Sequence, residues 1–326
     1  MKNLQWHLDR QKGIGGSDAA AALGLSHWTT PLELYEQKIQ TITEDMVQAA
    51  TWEQMQGNAM EPVLLQQYAT EMQIEVLQPR EAMVHPKHQF MRYNPDGIVE
   101  KDGVRILLEL KTARWSRDWD TVGSDGIPMA YLAQVQHGMA VAGIDLAHVY
   151  VSIGGARPIL YAVEADKEAQ QQIIDGEAVF WQHVENRVPP APVTYADAAN
   201  LYKFSQIGTT IVADDATLAA MQQLKAIRAQ QKELNSQEEL LAVQIQGFIK
   251  DNEALVDAEG KVLATWKGEA GAKRVNSALL REKFPDIAEQ MTTQGEPTRR
   301  FLIKQPKGKP NDKQLTIRSG GSTSNY

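Results

Sequence analysis

Cysteine is absent from all 326 residues. That excludes disulfides, cysteine-ligated zinc and iron–sulfur clusters, and it suits a reducing compartment. Also missing is any run approaching the roughly 18 uncharged apolar residues of a membrane span. The start, Met1-Lys2-Asn3-Leu4-Gln5-Trp6, lacks the apolar core of a signal peptide. The expected location is the cytoplasm, with no membrane partner. Positive charge is in deficit: 33 Lys and Arg stand against 41 Asp and Glu, a net charge of −8. Such a balance argues against a protein that coats nucleic acid non-specifically, and it leaves room for a local basic groove. Ordinary hydrophobic and charged contents, 43% and 23%, fit a globular chain long enough for two domains.

What is present is organised around residues 94–111. Asp102-Gly103, set between β-type residues, is a strong signal for a two-residue hairpin turn. If those two residues form the turn, Lys101 pairs with Val104, and each later pair keeps the same sum of positions. Asp96 then falls opposite Glu109. Opposed Cβ atoms lie about 4.5–5.5 Å apart, which suits two carboxylates sharing one divalent cation with oxygen ligands at roughly 2.0–2.5 Å. Lys111 shares that face by the period of two along a strand. The strand over 104–110 is otherwise strongly apolar, so an unpaired charge there would be costly, and a bound metal removes the conflict. An Asp followed by Glu-x-Lys is the constellation of metal-dependent nucleases, in which carboxylates hold Mg²⁺ and the lysine holds or activates a water. Two other acid-x-Lys tripeptides, Glu36-Gln37-Lys38 and Glu259-Gly260-Lys261, lack a registered Asp.

Before this hairpin, Arg10 precedes the glycine-rich loop Gly13-Ile14-Gly15-Gly16-Ser17-Asp18, where Ser17 or Asp18 is expected to cap a short helix. Backbone N–H groups at that helix start, the Ser17 hydroxyl and Arg10 would together bind a phosphate. Thr30-Pro31 opens a second helix. Residues 44–72 read as helix interrupted near Gly57-Asn58 and again at Pro62, with Glu61 projecting from the kink. After the hairpin, Trp115-Ser116-Arg117-Asp118-Trp119 is an aromatic and basic loop placed to touch a substrate strand. A helix over 128–142 carries Tyr131, Gln134 and His137 on one face, so that face is expected to line a polar cleft. Strands over 147–153 and 158–163 and a helix over 166–187 follow.

The proline-rich segment 188–194 reads as a stiff linker that divides a first domain, 1–187, from an extension, 195–318, and a tail, 319–326, of disordered composition. In the extension, Leu218, Met221, Leu224, Ile227, Leu234, Leu241, Ile245 and Phe248 keep helical spacing, with Asn235-Ser236 able to fold the helix in two. A hairpin over 254–266, a helix beginning near Asn276 and a strand over 299–304 come next. Residues 299–318 hold seven Lys and Arg against one acid, Asp312, a candidate DNA-backbone contact.

Five motifs in order, from Arg10 to about Gly154, resemble the YqaJ-type viral recombinase family, the phage nucleases similar to lambda exonuclease. They are Gly13-Ile14-Gly15-Gly16-Ser17-Asp18 with Trp28-Thr29-Thr30-Pro31, Gly57-x-x-x-Glu61, Pro95-Asp96-Gly97, Glu109-Leu110-Lys111, and Tyr131-x-x-Gln134-x-Gln136-His137. The resemblance implies an α/β fold with a restriction-endonuclease-like core, a central mixed sheet flanked by helices, followed by an α+β extension with a long helix or helical hairpin. It implies Asp96 and Glu109 as metal ligands, Glu61 as the supporting acid, Lys111 as the water-orienting base, and Gln134 and Tyr131 as helix-borne residues beside the active site. Arg10 and Ser17 would hold the 5′-phosphate of a duplex end. The implied activity is Mg²⁺-dependent digestion of linear double-stranded DNA from the 5′ end, with Mn²⁺ able to substitute. The implied partners are DNA ends, a single-strand-annealing recombinase and further copies of the chain in a three-subunit ring. An endonuclease on the same core and a non-catalytic DNA-end-binding module are the alternatives.

Overall fold

The computed structural model describes residues 4–46, 51–117, 119, 126–295 and 298–303. The chain divides into two compact units, Met1–Lys203 and Phe204–Tyr326. In chain order the first holds α1 (Leu4–Arg10), β1 (Ile14–Gly15), α2 (Gly16–Ala22), α3 (Pro31–Ile39), α4 (Trp52–Met72), β2 (Met83–Val84), β3 (Met91–Tyr93), β4 (Gly97–Lys101) and β5 (Val104–Ala113). It continues through α5 (Met129–Ala142), β6 (Leu146–Ile153), β7 (Ile159–Glu164), α6 (Lys167–Asn186) and α7 (Tyr195–Leu201). The second holds α8 (Asp215–Ile249), β8 (Ala254–Val256), β9 (Val262–Thr265), α9 (Ser277–Lys283) and α10 (Pro285–Gln290).

The turn between β4 and β5 has positive φ at both central residues, +53° at Asp102 and +77° at Gly103, as a twist-matched two-residue hairpin requires. The register follows from it: Lys101 pairs with Val104, and the ladder runs unbroken to Gly97 against Leu108. β5 then pairs parallel with β6, reached through the crossover helix α5, and β6 pairs antiparallel with β7, giving the order β4-β5-β6-β7. This is the mixed sheet flanked by helices that the sequence led us to expect.

Side-chain alternation along β5 builds two layers. Ile106, Leu108 and Leu110 point to α4, packing with Leu64, Tyr68 and Tyr150. Leu107 points the other way, into the cluster of Val135 and Met139 from α5, Ile173 from α6, and Val149 and Tyr161 from the sheet. Glu109 and Lys111 lie on the α5 face by the same period. A buried aliphatic side chain of this kind is worth about 1.5–3 kcal/mol, so a one-residue slip, which would exchange the faces, is strongly disfavoured. A smaller sheet, β1-β3-β2, pairs β1 parallel with β3 and carries the glycine-rich loop to the edge of the same α5 face.

Helix α4 departs from expectation. It runs without interruption through Gly57 and Pro62, capped at its start by Thr51. Proline removes the hydrogen bond to the carbonyl four residues earlier and crowds that carbonyl, and burial of Leu64 and Tyr68 beyond it holds the helix on the sheet against that cost. The unit boundary falls after Lys203 because α7 is tied back to α3: Thr30 Oγ1 donates to Asp197 Oδ1 at 2.8 Å, and Asn200 Nδ2 donates to Glu36 Oε1 at 2.9 Å. Segment 188–194 thus runs inside the first unit.

In the second unit α8 is one helix of 35 residues. Asn235-Ser236 does not break it, since the Ser236 hydroxyl donates back to the Lys232 carbonyl at 3.1 Å, a local bond that a helix accommodates. β8 and β9 form the expected hairpin, with Gly260 at φ +84°. Residues 299–303 are not in a strand; most of the basic stretch to 318, and the tail 319–326, lie outside the described residues.

Candidate active site

The strand ends and loops of the first unit surround a cleft of about 1340 Å³. Arg10, Ser17, Glu61, Asp96, Glu109, Lys111, Tyr131 and Gln134 all line it. Each arrives for a local reason. Asp96 sits one residue before β4, beyond the last ladder pair of Gly97 with Leu108, and is tied to β5 through its side chain, whose Oδ2 accepts from the Leu110 backbone N–H at 2.7 Å. Glu109 is 3% exposed. Its Oε1 accepts from Lys111 Nζ at 2.6 Å and from Gln134 Nε2, and Gln134 Oε1 accepts from Lys111 at 3.1 Å. Gly57 and Glu61, one helical turn apart on α4, face the cleft; a Cβ on Gly57 would come within 3.8 Å of Thr112 on β5, so α4 approaches the end of that strand closely.

The electrostatics follow from crowding two carboxylates beside one ammonium. Burial, reinforced by Glu109, pushes the Asp96 carboxyl up to about 8. At Lys111 burial opposes the charge, but Glu109 and Asp96 together outweigh it and raise the pKa above the ordinary lysine value. Lys111 is therefore a firm cation at neutral pH. The donor set is all carboxylate oxygen, the chemistry that hard divalent cations select, and burial together with Glu109 penalises a charged Asp96, a penalty that a bound cation would relieve. Those two features fit a divalent cation held by Asp96 and Glu109. Among the described residues no three Asp, Glu, His or Cys side chains converge into a complete cage, so water or substrate oxygens would have to fill the remaining positions.

Three placements refine the sequence reading. The α5 face is split: Tyr131 and Gln134 reach the cleft, whereas His137 is wholly buried, with Nδ1 2.7 Å from Glu177 Oε1 and Nε2 donating to the Arg92 carbonyl at 2.9 Å. Three-residue steps drift around a helix, and His137 has turned from the cleft to α6. The N-cap of α2 is Gly15, ahead of Ser17 and Asp18, and Asp18 takes part from the third position of a capping box, its side chain accepting from the Gly15 N–H at 3.2 Å. In the aromatic loop, Trp119 packs on Tyr131 and Tyr161, while Trp115 is exposed beside Arg114.

Tyr93 is the residue that sequence reasoning missed. Its hydroxyl donates to Glu109 Oε2, and its ring fills a slot between Gly16 and Gly138, where an added Cβ would come within 2.7 Å and 2.5 Å of it. The usable signal was Tyr93 standing on a short strand three residues before Asp96. A donor on a metal-ligating carboxylate typically affects metal affinity 10–100-fold. Tyr93→Phe is accordingly expected to weaken Mg²⁺ binding by about tenfold or more in a folded protein, as measured by calorimetric titration; unchanged affinity would show that the hydroxyl only satisfies its own burial.

Fold and cleft together define an α/β protein whose central sheet presents two carboxylates and a lysine beside a cationic, glycine-rich loop. Residues 5–145 match the model of the YqaJ-like viral recombinase domain, and over 316 residues the chain is 30% identical to the uncharacterized protein YqaJ of Bacillus subtilis (strain 168), covering 94% of this chain and 95% of that one. The chain belongs to this YqaJ-like viral recombinase family. Solved structures similar in outline include LHK-Exo, an alkaline exonuclease from Laribacter hongkongensis, at 18% identity and a TM-score of 0.44 over 56% of this chain and 93% of that one. A phage-related exonuclease from Haemophilus somnus 129PT matches at 11% identity and a TM-score of 0.41, over 54% of this chain and 96% of that one.

Proposed function

We propose that this protein is a Mg²⁺-dependent exodeoxyribonuclease that digests linear double-stranded DNA from the 5′ end. One observation carries the reading: Asp96, Glu109 and Lys111 gather on one face of the sheet and open into the same cleft as Arg10 and Ser17. A divalent cation held by Asp96 and Glu109 would supply an acidified water and neutralise charge on the phosphate and the leaving 3′-oxygen.

The chain's own residues do the rest. Lys111, a cation held by Glu109 and Gln134 and lying 5.1 Å over the Tyr131 ring, donates to the attacking water or to a phosphate oxygen. Gln134 keeps Glu109 and Lys111 in mutual register. Tyr131, stacked with Trp28 at 6.3 Å, forms a wall that fixes the lysine. Glu61 adds negative charge near Asp96 and would favour a cation held there. Arg10, donating to Ser17 Oγ at 3.1 Å, presents a guanidinium for the terminal 5′-phosphate. Rate enhancement comes from positioning and charge stabilisation. A 5′-mononucleotide leaves, and the exposed strand serves recombination through a single-strand-annealing partner. Assembly as a three-subunit ring belongs to the same reading.

Incubating 5′-phosphorylated, 5′-hydroxyl and circular duplexes with and without Mg²⁺ tests this. Nucleotide release is expected only with metal and only from linear DNA, faster from phosphorylated ends, with the difference lost in Arg10→Ala. Cleavage of the circle would instead support an endonuclease, and binding to ends without metal-dependent release would support a DNA-end-binding module.

A further inference from the structure

Two cations and a single carboxylate meet behind the cleft. Lys38, in the last turn of α3, is 7% exposed, and Asp18 on α2 is 4% exposed. Lys38 Nζ donates to Asp18 Oδ2 at 2.7 Å and to the backbone carbonyl of Arg10 at 2.7 Å. The other carboxylate oxygen of Asp18 accepts from Arg10 Nη2, which leaves Nη1 to bond Ser17 Oγ. The Arg10 guanidinium also lies 4.9 Å over the Trp6 ring. Next along the chain, Gln11 Nε2 donates to the Gln37 and Gln40 carbonyls at 2.8 Å each, tying the end of α1 to the end of α3. Arg10 is therefore held at its main chain, at one edge of its guanidinium and across one face.

The charge count is as informative as the geometry. An Arg10–Asp18 pair alone would be neutral and would attract a phosphate weakly. Lys38 adds a second cation, and the further carboxylate within its electrostatic reach, Glu177, is paired with His137, so the trio carries one unmatched positive charge, and only Arg10 of the two cations reaches the cleft. A buried lysine–carboxylate pair contributes little net stability; its physical consequences here are orientation and charge.

Building on the end-recognition reading above, we infer that Asp18 and Lys38 are positioning residues that aim Arg10 at the 5′-terminal phosphate. The unmatched charge of the trio is then what separates a phosphorylated end from a hydroxyl end.

The test compares kcat/KM on matched 5′-phosphorylated and 5′-hydroxyl duplexes, together with fluorescence anisotropy of the same duplexes in EDTA. In the wild type the phosphorylated end is preferred. Lys38→Met is expected to lower the ratio between the two ends about tenfold, the order of effect for losing one nearby charge in a partly desolvated site, chiefly through KM. Lys38→Gln keeps an N–H donor on a side chain one bond shorter and removes the charge, so it separates charge from folding if the methionine variant does not fold. A ratio unchanged in a folded variant, including equal losses on both ends, would mark Lys38 as structural support and overturn the proposal. A wild type that digests without preferring phosphate overturns it too, leaving the nuclease reading intact. A wild type that digests neither duplex removes the nuclease reading, and anisotropy still reports whether ends are distinguished.

Discussion

Lys111→Met is expected to reduce digestion of linear duplex DNA by about 10²–10³-fold, the usual scale for losing a group that stabilises charge developing in the transition state. Methionine preserves the length and packing of the side chain, so the loss isolates the ammonium. The same substitution leaves Asp96 and Glu109 without their cation. Divalent metal binding is therefore expected to be undiminished, because the ion then supplies the positive charge that Lys111 provided. Two measurements separate these effects: nucleotide release from a 5′-phosphorylated duplex, and calorimetric titration of metal into the DNA-free protein. Near-wild-type cutting by the folded variant would falsify the assignment of Lys111 to the chemistry. Loss of metal binding alongside activity would mean that the lysine shapes the carboxylates and does nothing further.

Asp96→Asn should abolish metal-dependent digestion and at the same time stabilise the metal-free protein at alkaline pH. The sign follows from the raised pKa. Folded Asp96 keeps its proton up to about pH 8, whereas the ordinary carboxyl value is 3.8, so between those limits the folded state binds the extra proton. Stability then falls as pH rises from about 4 and the loss is complete above about 8. Asparagine removes the charge that burial and Glu109 penalise while its carbonyl still accepts from the Leu110 N–H. A gain on the order of a few kcal/mol is expected at pH 8.5, equivalent to a Tm higher by roughly 5 °C or more, and little gain at pH 4.

The wild type has a matching pH signature. Metal must displace the Asp96 proton, so affinity should weaken about tenfold for each unit below pH 8. Titrations in buffers of different ionisation enthalpy count the released proton. An affinity flat between pH 6 and 8, or an asparagine variant no more stable than wild type at pH 8.5, would remove the crowded-carboxylate account of the cleft.

Much of this site could be read from short stretches because short-range rules place it. The Asp102-Gly103 turn specifies its own φ values and thereby the register of β4 on β5, and the strand period sets Glu109 and Lys111 on one face. Thr30, Asp166 and Asn276 cap the helices that follow them, each accepting from a backbone N–H. What could not be read depends on contacts between distant segments. The continuity of α4 through Pro62 rests on a sheet that the helix does not contain, and the burial of His137 on a partner forty residues away in α6. Tyr93 reaches Glu109 only because two glycines from separate elements leave room for its ring.

The sequence by itself determined the turn, the strand register and the face that Glu109 and Lys111 share, because hydrogen-bond geometry and the alternation of side chains act over a few residues. Only the tertiary structure decided that Tyr93, Asp18 and Lys38 stand behind the residues that face the cleft. Their positions arise from burying apolar faces of α2, α3 and α5 together, and no local rule fixes which polar groups that packing brings within hydrogen-bonding distance.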